Sequence, residues 1–327
     1  VKLFYCSDTA NSTFLYTFFL YFRENMSQVV LEINNLKKIY ANQSHPALDD
    51  ISLKIYRNEK VGVIGANGSG KTTLFRTILN LVRPFYGSIR ILGDFDLEKA
   101  KKHLGFIPEH QEGLENFTPA ELLKYAGKMS GMKKSLIESR KEELLSWTEL
   151  SNQKNELISS FSKGMIQRLQ LALGLIHQPA ILLFDEPMSG LDPSGQKRLR
   201  ELLSKLKNYT LLYASHNLSE IEEICDRIII LQQGKIKGDI TVGNDDKVVF
   251  TIESEINMED LFSQYQSIEL RKTHLKNNNF FYELHTTYPQ FQEFLMVCKE
   301  KEIPILRFRS KSILEDLYER YVKTAII

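Results

Sequence analysis

Residues 65–73 read Gly-Ala-Asn-Gly-Ser-Gly-Lys-Thr-Thr. Gly65, Gly70, Lys71 and Thr72 fit the phosphate-loop pattern G-x-x-x-x-G-K-[ST]. Glycines at 65, 68 and 70 let the backbone turn its N–H groups inward around a phosphate chain. Asn67, Ser69 and Thr73 complete that cradle. Lys71 can reach the β and γ phosphates, and the Thr72 hydroxyl can ligate Mg²⁺. The flanks agree with this chemistry. Lys60–Ile64 is short and apolar, as a buried strand would be, and Thr73–Leu79 is apolar at helical spacing. A helix starting there would point its positive end at the phosphates. The sequence predicts a nucleoside triphosphate site.

A second group of acids follows a strand-like run. Ala180–Phe184 is continuously apolar, the pattern of a strand buried on both faces of a parallel sheet, and Asp185 and Glu186 come directly after it. Ligands of open α/β sheets bind at the carboxyl ends of the strands. Asp185 is therefore placed to hold Mg²⁺, through water, and Glu186 to orient or deprotonate the water that attacks the γ phosphate. A third piece begins at Phe161-Ser-Lys-Gly-Met165, ahead of an apolar stripe at Ile166, Leu169, Leu173 and Ile176. Ser162 would stand at that helix's N-terminus, where its hydroxyl and free N–H groups make an anion site. Read alone, it is equally a plain helix cap.

The order of these three motifs resembles the ATP-binding subunit of ABC transporters, over about residues 28–240. Tyr40 is similar to the family's adenine-stacking aromatic. Ser189-Gly-Leu-Asp192 resembles the loop that couples the two sites of the dimer. His216, after Leu211–Ala214, resembles the switch histidine at the γ phosphate. Taken singly, Tyr40 is also an ordinary edge-strand tyrosine and His216 a helix-start histidine. The resemblance implies a P-loop NTPase α/β core, with an antiparallel β subdomain and a helical subdomain at about residues 95–175. It also implies ATP and Mg²⁺ as cofactors. Two subunits would stand head to tail, the resemblance implying a homodimer. Each ATP would lie between Gly65–Thr73 of one subunit and Ser162 and Gly164 of the other.

Two departures stand out. The family's Leu-Ser-Gly-Gly-Gln signature is here Phe161-Ser-Lys-Gly-Met165, which keeps Ser162 and Gly164. Where the family's glutamine loop is expected, after Phe106-Ile-Pro108, the chain carries Glu109; Gln111 lies two residues on. An ionised carboxylate accepts hydrogen bonds but donates none, so Glu109 could approach Mg²⁺ without acting as an amide. Both departures resemble the exporter branch that handles drugs, antibiotics and surface polysaccharides.

At 327 residues the chain has room for a large α/β domain and a smaller one. Its net charge of +1 argues against a strongly electrostatic nucleic-acid binder. Cys6, Cys225 and Cys298 have no metal-ligand spacing and read as incidental thiols of a reducing compartment. Phe14–Phe22 is too short to span a bilayer. Residues 1–25 are expected to be a mis-assigned upstream extension, with a short surface anchor or an ordinary tail as alternatives. Residues 26–240 would form the ATP-binding domain.

Residues 241–327 are expected to form a small α+β domain of ferredoxin-like character. Strands are predicted at 247–252, 280–284 and 303–308, and a helix along Phe291, Phe294, Leu295 and Cys298. A last helix opens at a Ser312/Glu315 capping box and runs to about Val322. No metal cluster, nucleophile or glycine loop is read there. The whole suggests a cytoplasmic ATPase subunit, peripheral on the inner face of the membrane, that powers export through a multi-span permease subunit. No nucleic-acid partner is expected. The alternative is a soluble ABC-type ATPase acting on ribosomes or nucleic acid.

Overall fold

A computed structural model describes residues 28–41, 45–110, 112–242, 247–263, 268–276, 279–312, 315–316 and 318–319. The expectations for residues 1–25, for Gln111 and for the end of the last helix fall outside those residues. The chain divides into two compact units, Val1–Val242 and Gly243–Ile327.

In the first unit, β1 (Val29–Lys38), β2 (Leu48–Tyr56) and β4 (Tyr86–Ile91) form an antiparallel sheet in the order β2-β1-β4. Strand β2 alternates buried and exposed residues, as expected of a sheet with one covered face. The central sheet has the order β5-β6-β7-β3-β8-β9. Its strands are β3 (Lys60–Ile64), β5 (Leu104–Ile107), β6 (Ile181–Asp185), β7 (Thr210–Ser215), β8 (Arg227–Gln232) and β9 (Lys235–Thr241). All neighbours pair in parallel except β8 and β9. Every residue of β6 and β7 is buried, and both strands are apolar except for Asp185, Thr210 and Ser215 at their ends.

Helix α1 (Lys71–Ile78) follows β3, and the short helix α2 (Leu97–Ala100) precedes β5. Strand β5 lies inside the segment expected to be helical, yet it belongs to the central sheet as an edge strand. The helices of that segment are α3 (Pro119–Met129), α4 (Lys134–Trp147) and α5 (Lys163–Leu175), which pack on one another. Helix α3 opens on a Thr118/Glu121 capping box with Pro119 in its first turn. Helices α6 (Pro193–Ser204) and α7 (Leu218–Ile224) complete the unit. No helix among the described residues is long and apolar enough to cross a membrane.

Helix α5 comes very close to β5 at Gly105. A Cβ there would lie 2.3 Å from the Gly174 carbonyl oxygen and 2.7 Å from Leu182 Cδ2. Backbone cannot yield as a side chain can. Gly105→Ala is expected to cost about 1–3 kcal/mol, readable as a lower denaturation midpoint at unchanged slope.

The second unit runs β10 (Lys247–Ser254), α8 (Glu259–Ser263), β11 (Glu269–Lys276), β12 (Asn279–Thr287), α9 (Tyr288–Glu300) and β13 (Ile305–Ser312). The strand order is β11-β12-β10-β13, antiparallel throughout. This β-α-β-β-α-β sequence is the ferredoxin-like arrangement. Phe250, Tyr282, Phe291 and Phe294 centre its core, and Phe250 stacks on Phe291 at 3.7 Å between ring centroids. Strand β11 was not foreseen. Its sequence, Glu-Leu-Arg-Lys-Thr-His-Leu-Lys, is mostly charged or polar, which suits an edge strand and hides it from an apolar pattern search.

Candidate nucleotide site

Three carboxyl strand ends converge in the first unit. Strand β3 leads into the phosphate loop, β6 ends at Asp185 and β7 ends at Ser215, one residue before His216. Strand β7 lies between β3 and β6 in the sheet, so chemistry from all three meets along one edge. An open cavity of about 950 Å³ lies against the loop, faced by Asn67 to Thr73, Tyr40, Glu109 and Glu186. Gly70 is the residue before α1 and adopts φ 111°, and its Cβ would stand 2.6 Å from the Ala47 carbonyl. Only glycine serves there. Helix α1 has no side-chain cap and no acid in its first turn. Its positive end is left uncompensated, ready for an anion.

Lys71 is buried; its Nζ donates to the Gly65 carbonyl at 2.7 Å and lies 3.3 Å from Glu186 Oε1. The other Glu186 oxygen, Oε2, lies 2.8 Å from His216 Nδ1 and 3.3 Å from the His216 backbone nitrogen. Glu186 thus stands between the loop lysine and the histidine. It adopts φ 50°, a left-handed conformation that costs a non-glycine residue about 1 kcal/mol. Its N–H donates to the Ala214 carbonyl at 2.9 Å, which holds the turn.

Thr72 Oγ1 donates to Asp185 Oδ1 at 3.4 Å, and Ser189 Oγ donates to Glu109 Oε1 at 3.0 Å. These hydroxyl and carboxylate oxygens suit a hard divalent cation. Ser69 Oγ is buried without a hydrogen-bond partner inside the loop, as a group reserved for a ligand would be. The residues present fit a nucleotide phosphate chain with its cation.

Burial pushes the Asp185 carboxyl above its ordinary range. The Thr72 hydrogen bond opposes that shift, Glu186 and Glu109 add to it, and Lys71 opposes it. A carboxyl raised in the folded state contributes stability below its unfolded range and loses it as pH rises through the folded value. Asp185→Asn is therefore expected to stabilise the nucleotide-free protein at pH 7. The gain should shrink as pH falls toward the carboxylate range. Denaturant titrations with a chelator at pH 7 and pH 5 would measure it.

Tyr40 lies half-buried beside the cavity, with Lys38 Nζ 5.0 Å from its ring centroid. Ser162 and Gly164 do not face this cavity. Ser162 caps α5, accepting from the Met165 N–H at 3.3 Å. Sequence reading missed Lys163, whose ammonium packs so close to Gly190 that a Cβ there would meet it at 2.4 Å. It also missed Gln167, which donates to the Pro187 carbonyl at 2.6 Å. The Gln167 hydrogen bond ties α5 to the segment after Glu186, and Lys163 packs against that same segment. Asp192 caps α6 by accepting from the Gly195 N–H at 3.2 Å. At the cavity rim, Lys235 and Lys37 pair with Asp49 at 3.2 Å and 2.9 Å, a cluster no linear motif signals.

In the second unit, Glu283, His285 and Asp316 bring ligand-type atoms within 4.8 Å of one another. The sequence reading found no such group: Glu283 and His285 lie two apart on β12, but Asp316 comes from a separate segment. Lys311 pairs with Asp316 and lies 3.5 Å from Glu319, so an ammonium already balances charge there.

The sequence pattern of the family described as ABC transporter matches residues 48–189. The chain is 36% identical, over 68% of its length and 72% of the relative's, to the uncharacterized ABC transporter ATP-binding protein YdbJ of Bacillus subtilis. This chain belongs to the ABC transporter ATP-binding proteins. It is 31% identical to the uncharacterized family member YxlF of the same organism, over 90% of this chain and 99% of that protein. It is also 35% identical to the bacitracin transport ATP-binding protein BcrA of Bacillus licheniformis, over 64% of this chain and 69% of BcrA. Among solved structures, an ATP-binding subunit of an ABC transporter superposes with a TM-score of 0.60 at 31% identity, over 65% of this chain and 90% of that one. An ATP-binding cassette solved as a dimer in a post-hydrolysis state, with ADP and phosphate, gives a TM-score of 0.59 at 25% identity, covering 65% and 99%. The fold is the expected P-loop core with its antiparallel β subdomain. As a member of this family the protein is an ATPase.

Proposed function

We propose that this ATPase powers export through a separate membrane-spanning permease, as a dimer closed by ATP. Glu186 carries the reading: one carboxylate oxygen lies 3.3 Å from Lys71 Nζ and the other 2.8 Å from His216 Nδ1. With ATP in the loop, Lys71 turns to the β and γ phosphates and frees Glu186 to accept a proton from the attacking water. His216 holds Glu186 and the γ phosphate in line. Tyr40 stacks on the adenine, and the N–H groups of Gly65 to Thr73 hold the phosphates. Thr72, Asp185 and Glu109 would hold Mg²⁺, which would supply charge neutralisation at the phosphate chain.

Ser162 and Gly164 sit outside the cavity that their own subunit's loop faces. In a head-to-tail pair they would complete the partner's ATP site, with helix N-termini on both sides of the phosphates. Hydrolysis removes the bridging γ phosphate and lets the seam open. The likeness to BcrA, the Ser162-Lys-Gly-Met165 signature and Glu109 support an exporter. The same reading places the subunit on the cytoplasmic face, held by its permease.

The test is capture of partners by tagged Glu186→Gln protein, with ATP and Mg²⁺, from detergent-solubilised membranes of its own cell. A stoichiometric multi-span protein supports the transporter reading. Ribosomal or nucleic-acid components in its place would overturn it while leaving the ATPase chemistry intact.

A further inference from the structure

Glu220 is buried, lies on α7, and takes no part in the nucleotide chemistry described above. Its carboxylate gathers three donors. Ser215 Oγ donates to Oε2 at 2.9 Å, the Tyr213 hydroxyl donates to Oε2 at 3.3 Å, and Asn217 Nδ2 donates to Oε1 at 3.2 Å. Ser215 Oγ also accepts from the Asn217 N–H at 3.0 Å. Ser215 and Asn217 are the two neighbours of His216. One carboxylate therefore grips the chain on both sides of the histidine that meets Glu186 at 2.8 Å.

We propose that Glu220 is a positioning residue for His216, fixing the turn after β7 so that the imidazole stays on Glu186. The proposal rests on the reading of His216 and Glu186 given above. Three features support it over a plain helix staple. A staple needs one link, to the helix N-terminus, and Asn217 already supplies that by accepting from the Ser219 N–H at 3.1 Å. All three donors of Glu220 come instead from β7 and its turn. Burial, with Glu220 next in weight, pushes the Tyr213 phenol well above its ordinary range, so it remains a donor. An ionised carboxylate is acceptor-only and matches three donors, whereas an amide would turn an N–H against a hydroxyl.

The test is a double-mutant cycle in the full chain, with Glu220→Gln and Asn217→Ala each made in the parent and in His216→Ala. Expected in the parent is a fall in kcat of about 10- to 100-fold, with equilibrium ATP binding unchanged. In His216→Ala the same substitutions should have little further effect on kcat. Equal losses in both backgrounds, or no loss in the parent, overturn the proposal. Asn217→Ala covers the case in which Glu220→Gln does not fold. Nitrogen chemical shifts of the His216 ring supply an independent readout: they should move in both variants, and unmoved shifts overturn the placement. If His216→Ala hydrolyses ATP at the parent rate, the catalytic reading of His216 is what fails, and the ring shifts still decide whether Glu220 positions it.

Discussion

Glu186→Gln is expected to bind ATP as the parent does and to hydrolyse it about 10²–10⁴-fold more slowly. The amide keeps the size of the carboxylate and one acceptor oxygen, so the turn at φ 50° and the contact with the Ala214 carbonyl should survive. What is lost is the ability to take a proton from water. The substitution also removes the charge that faces Lys71 at 3.3 Å, leaving that ammonium more available to phosphate. Single-turnover hydrolysis beside equilibrium binding of a fluorescent ATP analogue separates the two effects. A variant that turns over at the parent rate would remove Glu186 from the role of base.

Lys71→Ala should act on the opposite quantity. Its ammonium is the one cation from the phosphate loop at this site, held against the Gly65 carbonyl and Glu186 until phosphate arrives. Charge-assisted hydrogen bonds contribute about 1.5–3 kcal/mol each. Loss of contacts to both the β and γ phosphates should weaken ATP binding by about 100-fold or more. ADP, which lacks the γ phosphate, should lose less. Titration with both nucleotides measures the difference. Equal weakening for ATP and ADP would mean that Lys71 does not reach the γ phosphate.

The two predictions concern residues that differ in how they could be read from the chain. Lys71 belongs to a contiguous motif whose spacing reflects local backbone geometry, so nine consecutive residues carry it. Asp185 and Glu186 are legible for a related reason: a strand buried on both faces is an apolar run, and acids after it mark the strand end. The Ser162 cap of α5 and the Phe291/Phe294 face of α9 are likewise local, set by hydrogen bonds and contacts within a turn or two. Strand β11 was not legible. An edge strand presents little apolar surface, and its pairing with β12 supplies what its composition lacks.

Other features had no linear signal at all. Glu220 looks like one acid among several on an amphipathic helix, and only the turn of β7 into α7 brings Tyr213, Ser215 and Asn217 onto it. Lys163 against Gly190, and Lys235 with Lys37 on Asp49, are likewise products of packing.

By itself the sequence determined the phosphate loop, the acid-tipped strand, the serine-capped helix and the two-part α/β and α+β character. Each depends on neighbours a few residues away, through backbone geometry and burial period. The tertiary structure decided which of those pieces meet. The sheet order β6-β7-β3 sets Glu186, His216 and Lys71 side by side, each from the segment that follows a different strand. That order arises from burying apolar strand faces between layers, a global condition that no short stretch of residues encodes.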